Sequence, residues 1–128
     1  MGLFSLGKKS EEDSTVVWLR KVDAAYTKSF QVKNAVGCEP YMTRVCLSKT
    51  LERVRLEEKN YSGIERYKHV TWVKKAGNDV SQLYEKNVTY DNIKMSYGIV
   101  APVGDSYKEM WTVVKENGEQ KVSDIRRV

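Results

Sequence analysis

The sequence predicts an α+β domain in which N-terminal helices pack on an antiparallel sheet of four to five strands. Three observations carry that reading. The chain ends in two runs rich in β-branched and aromatic residues, Tyr107 to Val114 and Gln120 to Ile125, a composition that suits pleated strands. Between them, Asn117-Gly118 supplies the positive φ angles of a tight primed turn, so the runs fold back on each other as a hairpin. Amphipathic helical spacing is found only in the first half of the chain, which places the helices first and the sheet after them.

Asp13 or Ser14 suits the N-cap of a first helix. Val16, Leu19, Val22, Ala25 or Tyr26, and Phe30 recur at spacings of three and four, while Trp18, Val22, Tyr26 and Phe30 stack at steps of four. Lys21, Lys28 and Gln31 fall away from this stripe, so the helix lies with one face on a sheet. Asn34-Ala35-Val36-Gly37 marks its exit, with Gly37 suited to a left-handed cap or a turn. Pro40 then suits the first turn of a second helix running to about Lys59. Its stripe is less regular: Tyr41, Val45 or Cys46, Leu47, Leu51 and Val54. Arg44, Lys49, Arg53 and Arg55 fall among its polar positions, where exposed pairs such as Arg53 with Glu57 read as a solvated face.

Asn60-Tyr61-Ser62-Gly63 breaks the helix, and Arg66 to Lys75 reads as a strand centred on Val70 to Val73. Gly77-Asn78-Asp79 forms a turn, and a second strand spans Val80 to Tyr90, with one helical turn capped by Asp79 before it as the alternative. Asp91-Asn92 is then expected to turn the chain into a third strand or irregular edge from Ile93 to Val100, stopped near Pro102-Val103-Gly104-Asp105. The terminal hairpin completes the sheet.

A chain of 128 residues is one domain's worth. With 41% apolar residues, eight Tyr and three Trp, it has the material for a core. Residues 1–13 read as a flexible tail and 14–128 as the single domain. Within the tail, Leu3, Phe4 and Leu6 beside Lys8-Lys9 are suited to a membrane surface or a partner, although a plain tail explains them as well. The lysines follow the short apolar run instead of preceding it, unlike a secretory signal, and no stretch is apolar enough for a membrane span. A cytoplasmic location is the expectation.

Net charge is +5, from 22 basic and 17 acidic side chains with no block of five like charges. That describes a mixed solvated surface and disfavours nucleic acid as a partner. Cys38 and Cys46, if on one helix, would stand roughly 12 Å apart, too far for a disulfide. Free, buried thiols are expected. With His69 as the lone histidine and no CxxC, no metal or other cofactor is expected.

Two helices followed by an antiparallel sheet whose last hairpin carries Tyr107, Glu109, Trp111, Val113, Val122, Asp124 and Ile125 resemble the nuclear-transport-factor-2-like, cystatin-like superfamily. Within it, the chain is similar to the bacterial relatives of the import-motor anchor domain of the mitochondrial inner membrane. The resemblance covers the order of elements from about Ser14 and, residue by residue, the last hairpin alone. One departure is Gln120, where members often carry an aromatic. The resemblance implies a cone: a curved sheet wrapped around the long first helix, with an apolar pocket at its open end. The same cone serves elsewhere as an isomerase, a dehydratase, a hydrolase, a dimerisation module or a docking domain, so fold alone does not give function.

The pocket candidates are Trp18, Val22, Tyr26, Tyr90, Trp111 and Asp124. No catalytic residue is assigned. Isomerase-type chemistry needs a tuned carboxylate and an oxyanion-holding pair, and Asp91, Asp124 and the tyrosines supply the types without a recognisable spacing. Asp91 reads more simply as a turn former, Asp124 is able to face either the cone or water, and His69 reads as a strand-surface residue. Neither cysteine has a sequence-near helper, and Ser62 lacks the G-x-S-x-G context. The sequence therefore favours a non-catalytic binding or protein-interaction domain, homodimeric through its sheet, with room for a small apolar ligand. The alternative is a small cone-fold isomerase, dehydratase or ligand-binding enzyme acting through an acid and a tyrosine.

Overall fold

Residues 13–56, 64–95, 100–102 and 106–128 are described by the computed structural model. The tail with its Leu3, Phe4 and Leu6, the break at 60–63, and residues 103–105 lie outside the described residues. Within them the order is helix α1 (Ser14–Val32), a short 3-10 helix (Val36–Tyr41), helix α2 (Arg44–Leu56), and strands β1 (Ile64–Gly77), β2 (Ser81–Met95), β3 (Val100–Pro102), β4 (Ser106–Glu116) and β5 (Glu119–Arg127). The fold is α+β, helices then sheet.

Asp13 caps α1, its Oδ1 accepting from the Thr15 amide at 2.9 Å. The face turned to the sheet holds Thr15, Leu19, Val22, Asp23, Tyr26 and Ser29. The helix ends earlier than Gly37. Lys33 takes the left-handed conformation (φ 58°) and its amide donates to the Ser29 carbonyl. Asn34 Oδ1 then accepts from the Val36 amide at 2.9 Å and winds the chain into the 3-10 helix that contains Gly37 and Pro40.

Pro40 does not open the second helix. The chain first dips to the sheet, where Met42 bridges Val122 and the Thr43 amide donates to the Val122 carbonyl at 3.0 Å. A residue tied to a sheet edge cannot also continue a helix, so α2 begins only at Arg44. Thr43 acts as its cap, with Oγ1 accepting from the Cys46 amide at 3.3 Å.

The five strands form one curved antiparallel sheet in the order β1-β2-β4-β5, with β3 against the end of β2. Asp91-Asn92 does not reverse the chain. β2 runs through both residues to Met95, and the partners jump from Lys68↔Tyr90 to Arg66↔Ile93, so the turn-forming pair is taken up as one extra residue in the ladder. The expected third strand is thus divided between the end of β2 and β3, which pairs Lys94 with Val100 and Asn92 with Pro102.

At the β1–β2 turn, Gly77 has φ 146° and a Cβ there would lie 2.7 Å from the Gln82 Cα, so only glycine fits without a shift. The last hairpin closes at Asn117 (φ 55°) and Gly118 (φ 81°), with its ladder extending to Glu116↔Glu119.

The core lies between helices and sheet. Leu19, Val22 and Tyr26 of α1 meet Cys38, Met42, Cys46, Tyr84, Trp111, Val113, Val122 and Ile125. Each fully buried aliphatic side chain contributes about 1.5–3 kcal/mol. Trp111 is edge-on to both Tyr26 (5.5 Å) and Trp72 (5.1 Å). On β4, Glu109, Trp111 and Val113 are buried while Met110, Thr112 and Val114 stay half-buried, so the sheet has an inner face and an outer one.

Candidate functional site

The most distinctive chemistry of the chain lies on the inner face. Lys86 on β2 and Glu109 on β4 are directly opposed in the ladder, and opposed residues project to the same side. Asp23 follows Val22 on the inner stripe of α1. All three are buried, and Lys86 is only 2% exposed. Lys86 Nζ lies 2.6 Å from Asp23 Oδ1 and 3.5 Å from Glu109 Oε1. Glu109 Oε1 also accepts from Trp111 Nε1 at 3.1 Å. The ammonium stands 5.4 Å from the Trp111 ring centroid and 5.9 Å from that of Tyr26, a cation–π contact that helps offset lost hydration.

The network extends toward α2. Arg53 Nη1 donates to Tyr26 Oη at 2.6 Å, and Nη2 donates to the Ile125 carbonyl at 3.3 Å. Arg53 therefore turns inward, half-buried, and is not part of a solvated face; the exposed pair on α2 is Arg55 with Glu52 at 3.2 Å. Glu57 lies outside the described residues.

A second polar contact fastens the start of α1. Tyr84 Oη donates to Asp13 Oδ2 at 2.7 Å, and Thr15 Oγ1 donates to Gln120 Oε1 at 3.1 Å. Gln120 is used here as an acceptor for the helix. Burial, then the bond to Asp13, pushes Tyr84 up to about 12. For Asp13, burial alone would raise the pKa, but hydrogen bonds from Tyr84 and the Thr15 amide, with the Lys74 charge, outweigh it and hold the carboxyl below its usual 3.8.

Cys38 and Cys46 are free and buried on two different elements, the 3-10 helix and α2. Burial pushes both thiols up, Cys46 to about 11. Such thiols are poor nucleophiles. His69 is exposed on β1, and among the described residues no three His, Cys, Asp or Glu side chains come together as a metal site requires.

Of the pocket candidates, Val22, Tyr26 and Trp111 belong to one buried cluster, in which the Tyr26 and Trp111 rings flank the Lys86 ammonium. Trp18 is half-buried at the margin, edge-on to Tyr41 at 6.4 Å. Asp124 stands apart: its side chain is 42% exposed and lies 3.8 Å from Lys49 on α2. Tyr90 sits on β2 opposite Lys68, and its side chain lies outside the described residues. A groove of about 510 Å³ lined by Lys33, Ser48, Leu51, Glu52, Val54 and Arg55 contains none of the six.

The sequence reading missed Asp23 and Lys86, and used Glu109 only as part of the hairpin pattern. The signal was present as parity. Tyr84-x-Lys86-x-Val88 and Glu109-x-Trp111-x-Val113 each place a charge among inward positions, and Asp23 interrupts the apolar stripe between Leu19 and Tyr26.

Chemically, the centre is closed. Among the described residues, no buried side-chain nitrogen or oxygen lacks a hydrogen-bond partner. An ammonium held by two carboxylates and two rings ties α1 to β2 and β4, and presents no open side to a substrate. No family model, curated protein or solved structure matches the chain. Among the described residues no helix is long and apolar enough to cross a membrane.

Proposed function

We propose that the chain is a non-catalytic binding or protein-interaction domain of the nuclear-transport-factor-2-like type, homodimeric through the outer face of its sheet. The observation that carries the reading is the contrast between the two faces. On the inner face Asp23, Lys86 and Glu109 are buried and partnered with one another, with Lys86 at 2% exposure, which keeps them from a reactant. On the outer face Leu83, Met110, Thr112 and Val114 stay half-buried and Val73 is 45% exposed. Glu85 and Lys108, 4.0 Å apart, stand among them. A face with apolar residues and charges of both signs suits a twofold contact, where each side chain meets the same surface of a second copy.

A second reading is supported by the residue types at the centre. Asp23, Glu109 and Tyr26 around Lys86 are the acid and tyrosine that a small cone-fold isomerase or dehydratase requires. That reading needs the centre to open to a ligand. Native mass spectrometry of protein taken gently from its own host separates the two. The interaction domain predicts twice the chain mass with no retained small molecule. A retained molecule supports the enzyme, and a ligand-free monomer removes the dimer.

A further inference from the structure

The two edges of the sheet are not equivalent. Near the middle of β5 the chain crosses its own edge, with Met42 bridging Val122 and the Thr43 amide bonded to the Val122 carbonyl. β1 is the longer outer strand, 14 residues from Ile64 to Gly77, and among the described residues it pairs with β2 alone. In an antiparallel pair alternate residues direct their N–H and C=O groups away from the neighbour, so β1 offers a row of backbone donors and acceptors along its outer side.

The charge on this strand is one-sided. β1 carries Arg66, Lys68, Lys74 and Lys75 against the single acid Glu65. Lys74 and Lys75 are exposed, as are Thr71 and Val73 before them. These positions disfavour a second copy as the occupant of the edge. Antiparallel pairing of β1 with itself about Val70 and Thr71 sets the Arg66–Lys68 end of each strand against the Lys74–Lys75 end of the other, and like charges opposed across strands are destabilising. A partner strand of opposite charge meets no such penalty.

The geometry points to β1 as the docking edge for an extended acidic peptide, which adds to the sheet as a further strand. Backbone pairing supplies affinity and the lysine-bearing ends select acidic residues at both ends of the peptide, with β-branched residues between them opposite Thr71 and Val73. The edge is made by the β1 backbone and the dimer surface by outward side chains, and the two meet at Val73.

The test is fluorescence anisotropy with a labelled nine-residue peptide, Asp-Glu-Thr-Val-Thr-Val-Thr-Glu-Asp, together with a version N-methylated at alternate residues and a neutral version with Asn and Gln for the acids. N-methylation keeps charge and removes backbone donors. The expected result is saturable binding of the parent peptide, weakened at least ~10-fold by N-methylation and by neutralisation. Lys75→Glu, at an exposed position, is expected to weaken it severalfold while leaving the melting temperature of the protein unchanged. Hydrogen exchange is expected to slow in β1 when the peptide is bound. Equal binding of the N-methylated peptide overturns the proposal, because attraction would then be charge alone. Absence of binding at millimolar peptide overturns it as well, as does protection of β1 that grows with protein concentration in the absence of peptide.

Discussion

Replacing Lys86 by methionine is expected to be among the most damaging single changes in this chain, even though methionine is a good core residue. The side chain is 2% exposed and its nitrogen lies within 3.5 Å of carboxylates on two different elements. Methionine fills most of the volume but removes the cation, leaving Asp23 and Glu109 facing each other without it. Like charges brought to about 4 Å repel by about 4 kcal/mol at an effective dielectric of 20. Breaking a buried pair from one side costs about 3–5 kcal/mol. A domain of this size holds about 5–15 kcal/mol in total, so the loss runs from about a fifth of its stability to nearly all of it, and about 10–20 °C in melting temperature.

The assay is urea unfolding followed by tryptophan fluorescence, with Trp111 as a reporter bonded to Glu109. The triple variant Asp23→Leu, Lys86→Met, Glu109→Gln removes all charge and keeps an acceptor for Trp111, and should recover most of the loss. A Lys86→Met protein within ~1 kcal/mol of the parent at neutral pH, a change typical of unconstrained sites, would refute the reasoning.

Three further outcomes follow from the same contacts. Because Asp13 is depressed in the folded state, its contribution is present above its unfolded pKa and is lost as pH falls through the folded value; Asp13→Asn should flatten the acid limb of stability against pH while keeping the helix cap. Tyr84 has the opposite sign: its contribution is full below about 10 and fades toward 12, so ultraviolet titration should find one tyrosine ionising near 12, and Tyr84→Phe should remove it. Cys38 and Cys46 should react with a thiol reagent at pH 8 only after denaturant is added, as both are buried with raised pKa; immediate labelling of either would contradict the packing.

Much of the fold was legible because local chemistry and tertiary structure agree there. The stripe from Val16 to Phe30 faces the sheet as read, and Asn117-Gly118 makes the turn its backbone preference demands. The misreadings lie where a long-range contact decided a local choice. Pro40 has the residue type for a helix start, yet the bridge from Met42 to Val122, 80 residues away in the chain, delays α2. Asp91-Asn92 has turn chemistry, yet the flanking Tyr90 and Ile93 pair with β1 and Asn92 pairs with Pro102 of β3, which keeps the chain in a strand. Arg53 looks like one of several exposed cations on α2, and distant acceptors, the Tyr26 hydroxyl and the Ile125 carbonyl, turn it inward. The buried triad was legible in part, since parity puts Lys86 and Glu109 on the inner face. Their direct opposition depends on the register between β2 and β4, which no short-range signal sets.

The account rests on the sheet's outer face being the working surface, and sedimentation equilibrium tests that most directly. The parent chain should sediment as a dimer at micromolar concentration. Leu83→Glu with Met110→Glu, both half-buried positions on that face, should sediment as a folded monomer. A parent protein that is monomeric at all concentrations, or a double variant that dimerises unchanged, would contradict it.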